Sequence, residues 1–382
     1  MLRTSILLCL GTLAAVPAAA ELQPSDAPPV AKGWRSVTVA EGVSHPWGMA
    51  WLPDGRLLVT SKDGTLHILN GKKFDPVPME GLPPVFTGGQ AGLLDISVHP
   101  NDKKDARVYM TMATGTAEAN RTTLVQGIFD GKRVHSIKTL FQVRPDKSGG
   151  QHFGSRMVWL ADGTLLMSVG DGGNPPQQVG EMLAREQAQN LATHHGSILH
   201  LTDSGKAAPG NPLAGRPGAQ PEIWTYGHRN IQGMVRDTAG RVWATEHGPK
   251  GGDELNLIEG GQNYGWPIQT YGLDYRTSEP VGKWEVAGMT SPKVAWVPSP
   301  APSGLAYYSG KAFPQWRGSL FSGSLAAMDV HRIALDKDGK VTGQDRLPIG
   351  QRVRDIRQGP DGQLYLITDE DNGKLMMLVP EQ

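Results

Sequence analysis

Apolar residues in this chain come in short runs, joined in pairs by turns rich in proline, aspartate and glycine. The first pair is Gly48-Met49-Ala50-Trp51-Leu52 and Leu57-Leu58-Val59, with Pro53-Asp54-Gly55 between them. The same pattern returns from Leu93 to Met110, from Met157 to Met167 and from Met234 to Ala244, more loosely from Gly304 to Phe321, and again from Asp355 to Leu366. Runs of this length with turn residues between them read as antiparallel strands. Six copies over the chain leave about 60 residues for each, enough for a four-stranded propeller blade with long loops. The expected fold is therefore all-β, a six-bladed β-propeller, with Val37-Thr38-Val39 completing the C-terminal blade and closing the ring. An irregular β-sandwich is the competing arrangement. Gly180 to Leu191 is the best helical candidate. No shift in composition divides the chain, so residues 21–382 are expected to form one domain.

Composition agrees with strands and turns. The 49 glycines and 29 prolines are too many for a helical protein. Lysine plus arginine and aspartate plus glutamate each number 37, which leaves no basic excess for nucleic acid or a membrane surface. The first 20 residues read as an export signal. Arg3 supplies the positive start, Ile6 to Val16 the apolar core and Ala18-Ala19-Ala20 the cleavage site. The apolar run is too short to span a membrane, so no stable membrane insertion is expected. Cys9 is the only cysteine. The mature chain, periplasmic or secreted, would thus hold together without disulfides, as a chain of this length can.

Candidate chemistry gathers between Trp224 and Pro267, on the loops beside the fourth strand pair. Gly248-Pro249 lacks one backbone donor and can turn its carbonyls toward a ligand. With Asp253 and Glu254 nearby, these are the hard oxygen donors that calcium prefers. Arg229-Asn230 adds a charged fork and an amide, suited to a planar, acidic, carbonyl-rich ligand. A glycine-rich loop with a capping aspartate would also explain the cluster. Arg352 and Arg354 stand two apart and so share one strand face, where two guanidiniums repel unless an anion lies between them. In a propeller the loops at one end of the channel converge, which would bring these residues to one pocket.

The motifs Gly89-Gln90-Ala91-Gly92-Leu93-Leu94, His152-Phe153-Gly154-Ser155-Arg156, Gly227-His228-Arg229-Asn230, Glu246-His247-Gly248-Pro249, Asp253-Glu254-Leu255-Asn256, Asn263-Tyr264-Gly265-Trp266-Pro267, Ala301-Pro302-Ser303-Gly304-Leu305 and Arg352-Val353-Arg354-Asp355 follow in that order. Together they resemble the soluble quinoprotein aldose sugar dehydrogenases, relatives of soluble glucose dehydrogenase that use pyrroloquinoline quinone (PQQ) and calcium. The resemblance implies oxidation of the anomeric hydroxyl of an aldose to a lactone, with electrons passed to an external acceptor (a dye, quinone or cytochrome). It makes His152 the general base and Arg229 the stabiliser of charge on the reduced cofactor, with Asn230 and Gln90 beside it. Arg352 and Arg354 would hold PQQ carboxylates. The carbonyls of Gly248 and Pro249 would ligate the catalytic calcium, while Asp253, Glu254 and the Tyr264 carbonyl resemble a second, structural calcium site. Gln90 and Trp296 would face the sugar, core packing being the other reading of Trp296.

Two departures from the family pattern are visible. Ala326 stands where a cofactor-facing lysine is expected, leaving Lys250 or Arg332 to replace its charge. Gln151 stands where soluble glucose dehydrogenase has an acid before the catalytic histidine, which would weaken an orienting contact to the imidazole. Other classes also remain. A calcium-dependent lactonase would need several acidic side chains on the inner strands, and a ligand-binding propeller without chemistry would need neither His152 nor the arginine pair. A transition-metal site at His194-His195 or Glu246-His247 is a third possibility, against which neighbouring strand residues point to opposite faces.

Overall fold

The computed structural model describes residues 28–103 and 106–381, so the segment read as an export signal, with Cys9, lies outside the described residues. Six four-stranded antiparallel sheets make up nearly all of it. Blade 1 is Pro46–Trp51, Leu57–Ser61, Leu66–Asn70 and Lys73–Val77; blade 2 is Leu93–Val98, Ala106–Gly115, Asn120–Phe129 and Val134–Gln142. Blade 3 is Met157–Trp159, Leu165–Val169, Ser197–Leu201 and Ile223–Tyr226; blade 4 is Ile231–Arg236, Val242–Glu246, Asp253–Ile258 and Val294–Trp296. Blade 5 is Pro302–Tyr307, Leu320–Ser324, Asp329–Leu335 and Val341–Pro348.

Blade 6 takes three strands from the C-terminus, Val353–Gln358, Leu364–Thr368 and Gly373–Pro380, and its outer strand, Trp34–Val43, from the start of the described chain. Val37 pairs with Met377 and Thr38 with Met376, the closure expected from the sequence. The first strand of each blade packs against the first strand of the next, and that of blade 6 against that of blade 1. Joining the two chain ends in one sheet leaves the ring without a broken blade.

Each pair of neighbouring blades encloses its own apolar layer. Leu165, Met167 and Val169 of blade 3 face Tyr109, Leu124 and Phe141 of blade 2, while Leu166, between them, faces Ile231 and Met234 of blade 4. Successive strand residues point to opposite faces, and a blade is covered on both. This is why its second strand reads as a continuous apolar run rather than an alternating one. Full burial of one such leucine contributes roughly 1.5–3 kcal/mol.

The inner strands carry charge as well. Arg156 Nη1 lies 3.1 Å from Asp95 Oδ1 and 3.2 Å from Asp355 Oδ1, and Arg357 closes the quartet through Asp95 and, at 2.8 Å, Asp355 Oδ2. Removing one member of such a buried network costs about 3–5 kcal/mol, because its partner is left charged and unpaired. The quartet ties blades 2, 3 and 6 together across the channel. The helical candidate proves to be a short hairpin, Gln178–Val179 with Met182–Leu183, followed by a single 3₁₀ segment, Ala184–Gln189. Among the described residues no helix is long and apolar enough to cross a membrane.

Candidate active site

In an antiparallel pair, the start of the first strand and the end of the second lie at the same edge of the sheet. Every blade therefore offers two short segments to one face of the ring, and the candidate residues occupy them. Gln90, His152, Arg229, Ala301 and Arg352 precede first strands. Lys62, Asp171, His247, Ala326 and Asp369 follow second strands within two residues.

His152 is 3% exposed and adopts a left-handed backbone with φ 49°, an uncommon conformation for a side-chain-bearing residue. Its N–H donates to Gln90 Oε1 at 2.8 Å, and the next loop amide, Gly154 N–H, donates to Asn230 Oδ1 at 3.1 Å. Two neighbouring blades thus hold the loop in place, which is how such strain persists at a site. On the ring, Nδ1 lies 2.6 Å from Asp171 Oδ1. Asp171 is wholly buried, accepts Gly173 N–H at 3.0 Å on the same oxygen and takes Trp266 Nε1–H at 2.8 Å on the other. Its carboxyl lies below the usual range because the His152 and Arg229 contacts outweigh burial. An ionised Asp171 fixes the proton on Nδ1 and leaves Nε2 as the basic atom. Burial, aided by Arg229, holds the imidazole below its ordinary value and therefore neutral at pH 7.

Asp171 corrects one expectation. The imidazole does not lack an acidic partner because Gln151 precedes it. The partner comes from the far end of the second strand, and Gln151 Oε1 instead accepts Asn174 N–H at 3.2 Å. Sequence reasoning missed Asp171, Asp369 and Lys62 alike, although each follows the second strand of its blade within two residues, a recurring position that would have flagged them.

Arg229 is buried beside this relay. Nη1 donates to the His247 carbonyl at 3.0 Å and Nη2 to Asn174 Oδ1 at 2.7 Å, while its guanidinium centre stands 5.4 Å from the Trp266 ring centroid. Its Nε is buried without a partner, as is Nε of Arg354. Buried donors of this kind are costly to leave unsatisfied and mark the place of an absent acceptor. Arg354 and Arg352 lie against Asp369, Arg354 in a short contact and Arg352 at 3.7 Å, so the anion between the two guanidiniums is this chain's own carboxylate. A cavity of about 300 Å³ is lined by these arginines together with Lys62, Gln90, Asn230, His247, Ala326 and Asp369. A second cavity, of about 450 Å³, is lined by Asn174, Trp266, Pro249 and Tyr275.

Gly248 does not owe its identity to backbone freedom, since it lies outside the left-handed region. A Cβ there would stand 2.3 Å from the carbonyl oxygens of Gly251 and Gly252. Asp253 locks this tight loop: Oδ1 accepts Gly248 N–H at 2.7 Å, and Oδ2 accepts Ala301 N–H at 2.9 Å and the Ser299 hydroxyl. Burial still raises its carboxyl to about 6. Glu254 shares the Asn256 amide with Glu246, at 3.1 and 2.9 Å, and burial followed by the Glu246 charge pushes it well above the carboxylate range. Both glutamates line a small void with Gly248, Tyr264 and Gln269. Among the described residues no group of three or more His, Cys, Asp or Glu side chains is placed to hold a metal ion.

Other candidates lie elsewhere. Trp296 is 2% exposed, packs with Trp243, Leu305 and Ile333 between blades 4 and 5, and donates to Gln344 Oε1 at 2.9 Å. It is a core residue and lines neither cavity, because it ends the outer strand of its blade. Lys250 donates to Ser278 Oγ at 2.6 Å on the surface, and Arg332 pairs with Asp345 on the outer strands of blade 5. Neither reaches the cavity at Ala326. His194 and His195 are engaged separately, His194 with Glu222 and His195 with the Pro145 carbonyl.

Known proteins place this arrangement. The aldose sugar dehydrogenase YliI of Escherichia coli is 38% identical over 347 residues, covering 88% of this chain and 91% of the relative. The apo-form crystal structure of the soluble aldose sugar dehydrogenase from Escherichia coli superposes with a TM-score of 0.84 at 36% identity, covering 91% of this chain and all of that one. The PQQ-bound aldose sugar dehydrogenase of Streptomyces coelicolor gives 0.73 at 29% identity, with 93% of this chain and all of that one covered. The family model described as Glucose / Sorbosone dehydrogenase matches residues 43–377, from the outer strand of blade 6 round to the third strand of the same blade. With the whole ring covered in this way, the chain belongs to the glucose/sorbosone dehydrogenase family.

Proposed function

We propose that this chain is an exported quinoprotein that oxidises the anomeric C1 hydroxyl of aldose sugars to lactones, with PQQ and calcium as cofactors and an external electron acceptor. The observation that carries the reading is the buried His152–Asp171 pair set beside Arg229, whose Nε has no partner. A site that holds a neutral base next to a guanidinium with one donor still free suits a reaction that removes a proton while negative charge grows nearby. The family membership and the PQQ in the Streptomyces coelicolor relative support the same chemistry.

The residues present fit the cofactors. Arg354 and Arg352 would offer charged donors to the cofactor carboxylates, Arg229 and Asn230 would serve a ring oxygen, and Gln90 would border the sugar. The Gly248 and Pro249 carbonyls would ligate a calcium ion, with Pro249 O already accepting Leu273 N–H at 2.8 Å through one lone pair. When bound, PQQ supplies the acceptor for the hydride that leaves C1, and calcium the Lewis acid beside it. His152 Nε2 takes the hydroxyl proton, Asp171 steadies the resulting imidazolium, and Trp266 keeps Asp171 aimed. Positioned bases contribute about 10²–10⁴-fold in rate. Glu254, Asp253 and the Tyr264 carbonyl are assigned to a second calcium, with Glu254 as the ligand and Asp253 chiefly as the tether of the Gly248 loop. Cleavage after Ala20 would release residues 21–382 as one propeller outside the cytoplasm.

The test is reconstitution. Purified apo-protein given PQQ and calcium should reduce a redox dye when an aldose is added. Lack of dye reduction by several aldoses, with PQQ bound, would remove the dehydrogenase reading.

A further inference from the structure

The 300 Å³ cavity gathers three cationic side chains, Lys62, Arg352 and Arg354, against one carboxylate, Asp369. That carboxylate is already divided. One oxygen meets Arg354 and Arg352, and the other meets His45 Nδ1 at 2.8 Å. Lys62 receives only a neutral dipole, the Gly89 carbonyl, at 2.9 Å from Nζ. Its backbone is fixed: Lys62 N–H donates to the His45 carbonyl at 3.1 Å, and the Lys62 carbonyl stands 2.3 Å from where a Cβ on Gly92 would be. The ammonium therefore issues from an anchored point on blade 1 into the cavity that Ala326 of blade 5 also lines. Partial burial lowers its proton affinity, and the two arginines act in the same direction against Asp369, so the charge is held at a disadvantage. A surplus of positive charge in a half-closed pocket is sustained by a ligand carrying more than one negative charge.

We infer that Lys62 is a cofactor-binding residue, the third cation of the pocket, whose ammonium takes a carboxylate of PQQ in the cavity that Ala326 also lines. This rests on the functional reading above and extends it to a residue that neither the motifs nor the base relay includes. Lysine suits the place, because a compact, rotatable ammonium can meet a carboxylate that the fixed forks of Arg352 and Arg354 do not reach.

The experiment is titration of calcium-saturated apo-protein with PQQ, followed by tryptophan fluorescence, for wild type, Lys62→Met, Ala326→Lys and the double variant. Lys62→Met should raise the Kd about tenfold or more, the equivalent of one charge-assisted hydrogen bond. Ala326→Lys should lower it, and the double variant should return toward wild type, because the second lysine restores the charge to the same cavity. Lys62→Gln serves in the same way if the methionine variant does not fold. Wild-type affinity in a folded Lys62→Met protein overturns this inference alone. Failure of the wild type to bind PQQ at all overturns the functional reading and this inference with it.

Discussion

His152 and Asp171 stand 19 positions apart in sequence and 2.6 Å apart in the fold, with Asp171 held in turn by the Trp266 indole at 2.8 Å. The histidine leads into the first strand of blade 3, and the aspartate leaves the second strand of the same blade. One sheet therefore sets both partners, and the tautomer of the base follows from its backbone geometry.

Asp171→Asn preserves the shape but reverses the polarity. An amide N–H facing Nδ1 would drive the imidazole proton to Nε2 and remove the base. Turnover in the PQQ- and calcium-loaded enzyme should fall about a hundredfold or more, with PQQ affinity retained. His152→Asn, which tolerates the left-handed backbone, should lose as much. Dye-reduction rates beside PQQ titrations make the comparison, and full turnover in either variant would place the base elsewhere.

The pH profile should show the same group. As the proposed base, His152 would act when neutral, and burial with the help of Arg229 lowers its pKa. The midpoint of the acid limb of turnover should thus fall below the ordinary imidazole value of about 6.5. An acid limb centred above the ordinary imidazole value of about 6.5 would contradict this assignment.

His195 gives a separate, structural prediction. Burial depresses this imidazole to about 4, while its ring donates to the Pro145 carbonyl. Below about pH 6.5 the unfolded chain takes up a proton that the folded one refuses, so stability is lost as pH falls from there toward 4. The loss amounts to about 3 kcal/mol at most. Urea midpoints measured across that range should drop more steeply for wild type than for His195→Gln, which keeps a donor and does not titrate.

Calcium should raise the thermal midpoint without PQQ. At a hundred times the dissociation constant a bound ion contributes about 2.7 kcal/mol. Because Asp253 also tethers the Gly248 loop, Glu254→Gln is the cleaner variant. An undiminished calcium shift in that protein would remove Glu254 from the second site.

Gly304 lies where a Cβ would meet Asp355 Oδ1 at 2.0 Å and the Asp355 Cα at 2.7 Å. Gly304→Ala would push a methyl group into the Arg156–Asp355–Arg357 contacts. A loss of roughly 1–3 kcal/mol is expected, as for other overpacked interiors. Chemical denaturation reads it directly, and a stability within a few tenths of wild type would show that the inner strands yield.

The repeat of short apolar runs and turns determined the blades, their number and the closing strand near Val37, because strand burial and turn chemistry are local and recur with each sheet. Sequence also marked His152, Arg229, Gly248-Pro249, Arg352 and Arg354, since unusual residue types cluster where loops carry chemistry. What it could not determine was which groups touch. The acid beside the imidazole is Asp171 rather than a residue at position 151, and the anion between Arg352 and Arg354 is Asp369. Trp296 turned into the core, and Lys62 rather than Lys250 or Arg332 came to line the cavity at Ala326. Those outcomes follow from antiparallel pairing and ring closure, which bring the end of one strand beside the start of another and residues of blades 1, 5 and 6 to one cavity. Separation along the chain carries no record of such distances; only the closed ring decides them.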